Sequence, residues 1–128
     1  MRKAHLMLSL LLLLGACASA GGIGRPMRRP DILMEDQIRG QSFASVYDAV
    51  VALRPNWLRT RGPDSFRSPT EVQVYIDNMR VGGVSNLRQI STLSTYYIQW
   101  FNGLEASARW GLGHGSGAIY VSTTPMRY

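Results

Sequence analysis

This chain of 128 residues contains one cysteine, one lysine and two histidines. Because Cys17 is the single cysteine, no disulfide can form within the chain, and the fold must be stabilised by its core alone. One cysteine and His114 cannot supply the ligands of a structural zinc site. We therefore predict no metal and no cofactor.

The longest apolar run, residues 6–14, is interrupted only by Ser9. A permanent membrane helix needs about 20 apolar residues, so this run is too short to be one. Arg2 and Lys3 precede it and two small residues follow it, as in an export signal. The sequence predicts a signal peptide over residues 1–16.

The residues at the end of this signal, Leu14-Gly15-Ala16-Cys17, resemble the lipobox of bacterial lipoproteins. The resemblance implies that Cys17 is diacylated, which would consume a thiol that is otherwise reactive in an oxidising compartment. A plain signal peptide with a chance cysteine is the alternative. In the lipoprotein family an Asp after the cysteine often signals inner-membrane retention. Because Ala18 stands there, we expect the outer membrane, on its periplasmic face.

Removing 16 of the 128 residues leaves 112, enough for one small domain. Two of the 14 basic residues leave with the signal, so 12 arginines face 8 acids, a net charge of +4. Arg25, Arg28 and Arg29 follow the anchor closely, where they favour contact with anionic lipid, although a solvated surface is the alternative. Nucleic acid is not an expected partner of an exported protein.

The rest of the chain divides into a tether and a domain. Residues 18–30 are rich in Gly, Ala and Pro, so we expect residues 17–30 to be the acylated cysteine and a flexible tether. The domain then covers residues 31–128. It begins with a short apolar piece and one helical turn, which Gly40 closes.

Apolar spacing predicts a helix over residues 45–53, with Ser45 as its N-cap and Asp48 in the acidic capping position. We expect Trp57, in the loop after this helix, to lie in the core. Alternation predicts a half-buried strand at 71–77, and further strands are expected at 96–101 and 118–123, with a helix at 104–110 between them. The glycines at 111, 113, 115 and 117 indicate a loop. The predicted class is α+β, with two or three short helices.

Two stretches resemble the plug domain of TonB-dependent receptors. The first is residues 74–81, Val-Tyr-Ile-Asp-Asn-Met-Arg-Val, which look like the family's strand, turn and short return strand. The second is residues 98–123, where a strand ending in Asn-Gly is followed by Glu-Ala, Trp-Gly, a glycine loop and a last strand. The resemblance covers residues 31–123. It implies a plug-like domain without catalytic residues.

The chain departs from the family pattern in three ways. Asn78 stands where the family has Gly, a mild change because Asn tolerates left-handed geometry. The energy-coupling peptide of the receptors is not recognisable, and the chain does not continue past Tyr128 into their barrel. We therefore expect a stand-alone plug-like lipoprotein of the cell envelope, related to TonB-dependent transport. Its expected partner is another envelope protein; capture of a small nutrient or siderophore is the alternative.

The loops near Asn78 and His114 are the predicted interaction surfaces, with Asp77, Asn78, Arg80 and His114 as the candidate residues. Catalysis is not expected. Ser116 lies two residues after His114, but the Gly-x-Ser-x-Gly spacing of a nucleophile elbow is missing. Three acids could in principle act in pairs, but each has a structural interpretation: Asp48 as a helix cap, Asp77 as a turn former and Glu105 as a first-turn helix acid. Trp100 and Trp110 could belong either to the core or to a binding face, and the sequence leaves both possibilities open.

Overall fold

The computed structural model of the protein describes residues 29–60 and 70–127. The predicted signal peptide, Cys17 and the tether up to residue 28 lie outside these residues, so they stay predictions. Within the described part of the chain, no helix combines the length and the apolar composition that crossing a membrane requires.

The described residues form a mixed five-stranded sheet, three α-helices and three short 3-10 helices. The strands are β1 (Ile32–Met34), β2 (Gln73–Ile76), β3 (Met79–Gly83), β4 (Tyr97–Phe101) and β5 (Ala118–Ser122). The α-helices are α1 (Glu35–Arg39), α2 (Val46–Leu53) and α3 (Gly103–Trp110), and the 3-10 helices cover Pro55–Leu58, Val84–Gln89 and Thr92–Ser94. The predicted α+β class is confirmed.

The strand order across the sheet is β1-β4-β5-β2-β3. The central strand, β5, pairs antiparallel with β4 and parallel with β2, whereas β1 and β3 pair antiparallel with their neighbours at the two edges. Asp31 enters the sheet beside the end of β4, because its carbonyl accepts from the backbone N–H of Trp100 over 2.8 Å. This end of the sheet is named the tether end. The opposite end, where Asp77 and Asn78 join β2 to β3, is named the hairpin end.

Both faces of the sheet are covered, since alternate strand residues point to opposite sides. The larger cluster lies under α1, α2 and two of the 3-10 helices and contains Leu33, Ile38, Val46, Ala49, Val50, Trp57, Val72, Val74, Leu87, Ile90, Ile98, Ile119 and Val121. The smaller cluster lies under α3 and contains Tyr75, Ala106, Ala118 and Tyr120, against which Tyr97, Phe101 and Trp110 pack.

The prediction that β2 is a half-buried strand is wrong. Gln73 is 8% exposed and Tyr75 is 4% exposed, although both were expected on an open face. The strand has neighbours on both sides, β5 and β3, and α3 with its following loop covers the face that carries Tyr75. Alternation in the sequence identified the two faces correctly, but it carried no information on what covers the second one.

The start of α2 is capped as predicted. Ser45 Oγ accepts from the backbone N–H of Asp48 at 3.3 Å, and the Asp48 carboxylate accepts from the backbone N–H of Ser45 at 3.2 Å. These two bonds satisfy donors that the first turn of a helix leaves unpaired. The helix ends at Leu53, before Pro55. Trp57 is 5% exposed in the larger cluster, so its predicted place in the core is confirmed.

A second reciprocal cap starts α3, one residue earlier than predicted. Asn102 Oδ1 accepts from the backbone N–H of Glu105 at 3.0 Å, and Glu105 Oε2 accepts from the backbone N–H of Asn102 at 3.2 Å. The helix runs from the tether end towards the hairpin end and stops at Gly111, which has a φ of +90°. The glycine loop of residues 111–117 then leads back to the start of β5.

Candidate functional site

The predicted interaction residues Asp77 and Asn78 form the two-residue turn of the β2–β3 hairpin. Their φ angles are +45° and +71°, the left-handed pair that a tight hairpin turn of the mirror-image type requires. The Asp77 carboxylate accepts from the backbone N–H of Thr123 at 3.0 Å and also from the Thr123 hydroxyl. Both turn residues are exposed, so Asp77 forms the turn as predicted and also fixes it to the end of β5.

Arg109, in the last turn of α3, joins this turn although it was not a predicted site residue. Its Nη2 donates to Asn78 Oδ1 over 2.8 Å. Its guanidinium carbon lies 4.9 Å from the ring centre of Trp110, 5.1 Å from that of Phe101 and 5.2 Å from that of Tyr120. Aromatic faces attract a guanidinium at such distances. Three rings and one amide therefore hold an exposed cation beside the hairpin.

Arg80, another predicted interaction residue, follows the turn on β3 and is exposed. Its Nε donates to Gln73 Oε1 over 2.9 Å, so its side chain extends along β2 and away from Asn78. The structure thus brings Asp77, Asn78 and Arg109 together at the hairpin end. Arg80 flanks this group on the neighbouring edge strand.

The expectation that His114 lies on an exposed loop is wrong, because its side chain is only 4% exposed. The ring contacts Gly111 O through Nδ1 at 2.8 Å and the Tyr75 hydroxyl through Nε2 at 2.7 Å. A carbonyl oxygen can only accept, so Nδ1 donates to Gly111 O, and in the neutral ring Nε2 then accepts from the Tyr75 hydroxyl. Both ring nitrogens are therefore occupied, which leaves neither available as a general base.

Trp110 forms the centre of the aromatic cluster under α3. Its ring stacks on Tyr75 with 4.2 Å between centroids, meets Phe101 edge-on at 5.1 Å, and lies 6.1 Å from His114. Such arrangements add about 0.5–1.5 kcal/mol per pair beyond the burial of area. Trp110 is therefore a packing residue. Trp100 lies on the other face, stacked on Trp57 at 6.3 Å.

The three acids that the sequence offered as possible pairs are engaged in structural bonds. Asp48 and Glu105 cap helices, and Asp77 holds the hairpin turn. Within residues 29–60 and 70–127, no group of three or more His, Cys, Asp and Glu side chains is placed to hold a metal ion. The arrangement at the hairpin end is suited to recognition, since it offers a fixed cation and a fixed amide on an exposed turn.

An open groove lies where β1 ends and β4 begins, at the hairpin end of the sheet. Its volume is about 540 Å³, and its lining is apolar and aromatic at Met34, Tyr96, Tyr97, Pro125 and Met126 and charged at Glu35, Asp36 and Arg39. The sequence did not predict this groove, because its walls come from three separate segments. Met side chains adapt to ligands of irregular shape, so the groove could accept a small molecule.

Burial raises the pKa of Tyr120 above its ordinary value of 10.0, and the neighbouring Tyr97 and Asp77 raise it further. When the pH rises above about 10, tyrosine ionises in the unfolded chain while folded Tyr120 keeps its proton. The unfolded state then binds fewer protons than the folded state, so the free energy of unfolding falls as the pH rises.

We therefore expect the stability of the protein to decrease above about pH 10, and Tyr120→Phe to make this decrease shallower. Urea denaturation at a series of alkaline pH values measures both slopes. Tyr47→Phe is the control, since Tyr47 lies on the other face of the sheet, under Arg88. Parallel curves for wild type and Tyr120→Phe would contradict the expectation.

A scan against protein-family models finds no match for the chain, and searches of the curated proteins and of the solved structures find none either. The resemblance to the plug domain of TonB-dependent receptors therefore stays a prediction that rests on residues 74–81 and 98–123.

Proposed function

We propose that the protein is a lipid-anchored, plug-like module of the outer membrane that binds another envelope protein and has no catalytic activity of its own. Cys17 carries the lipid, residues 17–30 form the tether, and the α+β domain presents the hairpin end to its partner on the periplasmic side. Through this partner the module would contribute to TonB-dependent transport.

One observation carries the binding role: the exposed Asp77–Asn78 turn and Arg109 are held in fixed positions. Thr123 holds Asp77, Asn78 bonds to Arg109, and three aromatic rings lie against the guanidinium. A side chain that is already ordered loses little conformational entropy on binding, which leaves more of the contact energy for affinity. Arginine is also enriched among the residues that dominate binding energy at protein interfaces.

Site-specific photocrosslinking in intact cells tests this role. A crosslinking residue in place of Met79, which is 69% exposed beside the turn, is expected to trap one envelope protein, whereas the same residue at Ser85, exposed in the 3-10 helix after β3, is expected to trap none. Arg109→Ala should weaken the crosslink from position 79 severalfold, since it removes the fixed cation. Equal capture from both positions would mean that the hairpin end is not the binding surface.

The anchor has its own test. Replacing Cys17 by serine removes the acylated thiol, and one pair of acyl chains is enough for stable attachment to a bilayer. We expect the wild-type protein to stay with outer membranes through a high-salt wash and Cys17→Ser to be released by that wash, because salt screens any contact between arginines and anionic lipid. Mass spectrometry of the wild-type N-terminal peptide without acyl chains would contradict the proposed lipidation.

The apolar groove supports a second function, capture of a small nutrient or siderophore. The groove of about 540 Å³ has the size of a small-molecule site, and its lining combines methionine and tyrosine side chains with three charged ones. A ligand that binds only the folded state at one hundred times its Kd stabilises that state by about 2.7 kcal/mol. A thermal-shift screen of apolar iron chelators and nutrients, repeated with Met126→Asp, distinguishes this function from protein binding at the Asp77–Asn78 turn and Arg109.

A further inference from the structure

Three arginines lie in the segments on either side of the contact between Pro30, where the chain enters the sheet, and the end of α2. Arg29 is exposed and directly precedes Pro30, and the Arg54 Nε donates to the carbonyl oxygen of Pro30 over 3.2 Å. Arg59 is exposed at the end of the 3-10 helix that follows α2. These arginines, Arg29, Arg54 and Arg59, are named the basic corner.

The position of Arg54 is fixed by the fold. Its Nη1 donates to Leu53 O over 2.8 Å, and its guanidinium carbon lies 5.9 Å from the ring centre of the buried Trp57. Within the described residues, its Nη2 makes no hydrogen bond. Arg54 therefore ties the first residues after the tether to the end of α2, and its half-exposed guanidinium keeps donors beyond these two bonds.

The carboxylates at the tether end do not cancel this charge. The Glu105 carboxylate accepts a hydrogen bond from the backbone N–H of Asn102. Glu71 precedes β2, and β2 lies three strand spacings, or about 14 Å, from β1. Exposed charges farther apart than about 8 Å are largely screened at physiological salt. Among the described residues, Asp31 is the acid that follows Arg29 and Pro30 in the chain, and one carboxylate does not neutralise three arginines. The corner is therefore a local site of positive charge.

From this geometry we propose that the basic corner binds the headgroups of anionic phospholipids, so that the tether end of the domain rests on the membrane surface. The inference rests on the proposed lipid anchor, because an anchored tether of 14 residues keeps this corner within reach of the bilayer. Arginine forms bidentate hydrogen bonds with phosphate, so the phosphodiester is the chemical group that is recognised. Leu104, at the same end of the sheet and 82% exposed, adds an apolar contact with the lipid surface.

This orientation determines what the domain presents to the periplasm. The hairpin end lies opposite the tether end, so the Asp77–Asn78 turn and Arg109 point away from the bilayer when the corner is bound. A domain in this position is confined to one orientation, whereas a domain on a free tether samples all of them. Headgroup binding thus presents the interaction surface to a partner in the periplasm.

Vesicle binding of the mature chain with Cys17→Ser tests the inference without any contribution from the acyl chains. We expect the protein to sediment with vesicles of phosphatidylethanolamine and phosphatidylglycerol, and not with phosphatidylethanolamine alone. Each arginine near an anionic surface strengthens binding severalfold, so the variant Arg29→Gln, Arg54→Gln, Arg59→Gln is expected to bind at least tenfold more weakly. Added salt should weaken wild-type binding in the same way.

The matched control removes the same charge elsewhere, with Arg39→Gln, Arg88→Gln and Arg127→Gln. Arg39 pairs with Glu35, Arg88 lies over Tyr47 at the start of α2, and Arg127 follows β5 beyond the hairpin end. We expect the control to bind within about twofold of wild type. Equal losses in the two triple variants, or no binding of the wild-type chain to anionic vesicles, would overturn the inference.

Arg54 also has structural bonds, so the double variant Arg29→Gln, Arg59→Gln is included in case the triple variant does not fold. The double variant is expected to show at least half of the loss of vesicle affinity that the triple variant shows. If it binds vesicles as tightly as the wild type, the proposed basic corner is overturned. Because the chain used is never acylated, these results do not depend on lipidation of Cys17. If Cys17 carries no acyl group in cells, the proposed lipid anchor is wrong, but the measured binding to vesicles is unaffected. The two proposals can therefore fail separately.

Discussion

Gly117→Ala is expected to destabilise the protein by about 3 kcal/mol, although it adds only one methyl group. Gly117 has a φ of +87°, where an L side chain costs about 1–2 kcal/mol. A Cβ atom at this position would lie 2.6 Å from Trp100 Cη2 and 2.7 Å from Phe101 O. The indole ring is stacked on Trp57 and the carbonyl belongs to β4, so neither can move away without loss of packing.

Gly113→Ala separates the two causes of this effect. Gly113 has nearly the same backbone, with a φ of +93°, but a Cβ atom there meets nothing within 4 Å. We expect the free energy of unfolding of this variant to fall by about 1 kcal/mol, which is the cost of the left-handed conformation alone. Urea denaturation of both variants measures the difference. If Gly117→Ala and Gly113→Ala destabilise the protein equally, close packing against Trp100 is not the reason why residue 117 must be glycine.

The elements that could be predicted from the sequence are those whose causes are local. Ser45 and Asp48 lie three residues apart and cap α2 without help from the rest of the chain. Asp77 and Asn78 form the hairpin turn because their own side chains tolerate positive φ, and alternation on either side defines the two strands. In each case, the residues that determine the conformation are neighbours in the sequence.

The composition of the site could not be predicted, because it depends on contacts between distant segments. Arg109 reaches Asn78 across 31 residues and His114 reaches Tyr75 across 39. A histidine between glycines is typical of an exposed loop, and nothing nearby in the sequence indicates that a tyrosine on β2 will bond to it. The basic corner depends on the same kind of contact, since Arg54 and Pro30 are separated by 24 residues.

His114→Ala is expected to destabilise the protein by about 2–4 kcal/mol, because it opens a cavity and removes two buried hydrogen bonds. The ring is 4% exposed and fixes the glycine loop to β2 through Tyr75 and to the end of α3 through Gly111. Tyr75→Phe removes only one hydroxyl and leaves Nε2 of His114 without its donor, which costs about 1–2 kcal/mol. Urea denaturation gives both values.

The double variant distinguishes a structural histidine from a catalytic one. If the 2.7 Å bond between Tyr75 and His114 stabilises the fold, the combined loss should be smaller than the sum of the single losses by about 1 kcal/mol. The variants should also lose protection of the amide of Gly117, which donates to His114 O and closes the glycine loop. A catalytic histidine would give the opposite result, with stability unchanged and an activity abolished. Additive losses would show that the two side chains are close without being coupled, and the glycine loop would then be held by Trp110 and backbone hydrogen bonds.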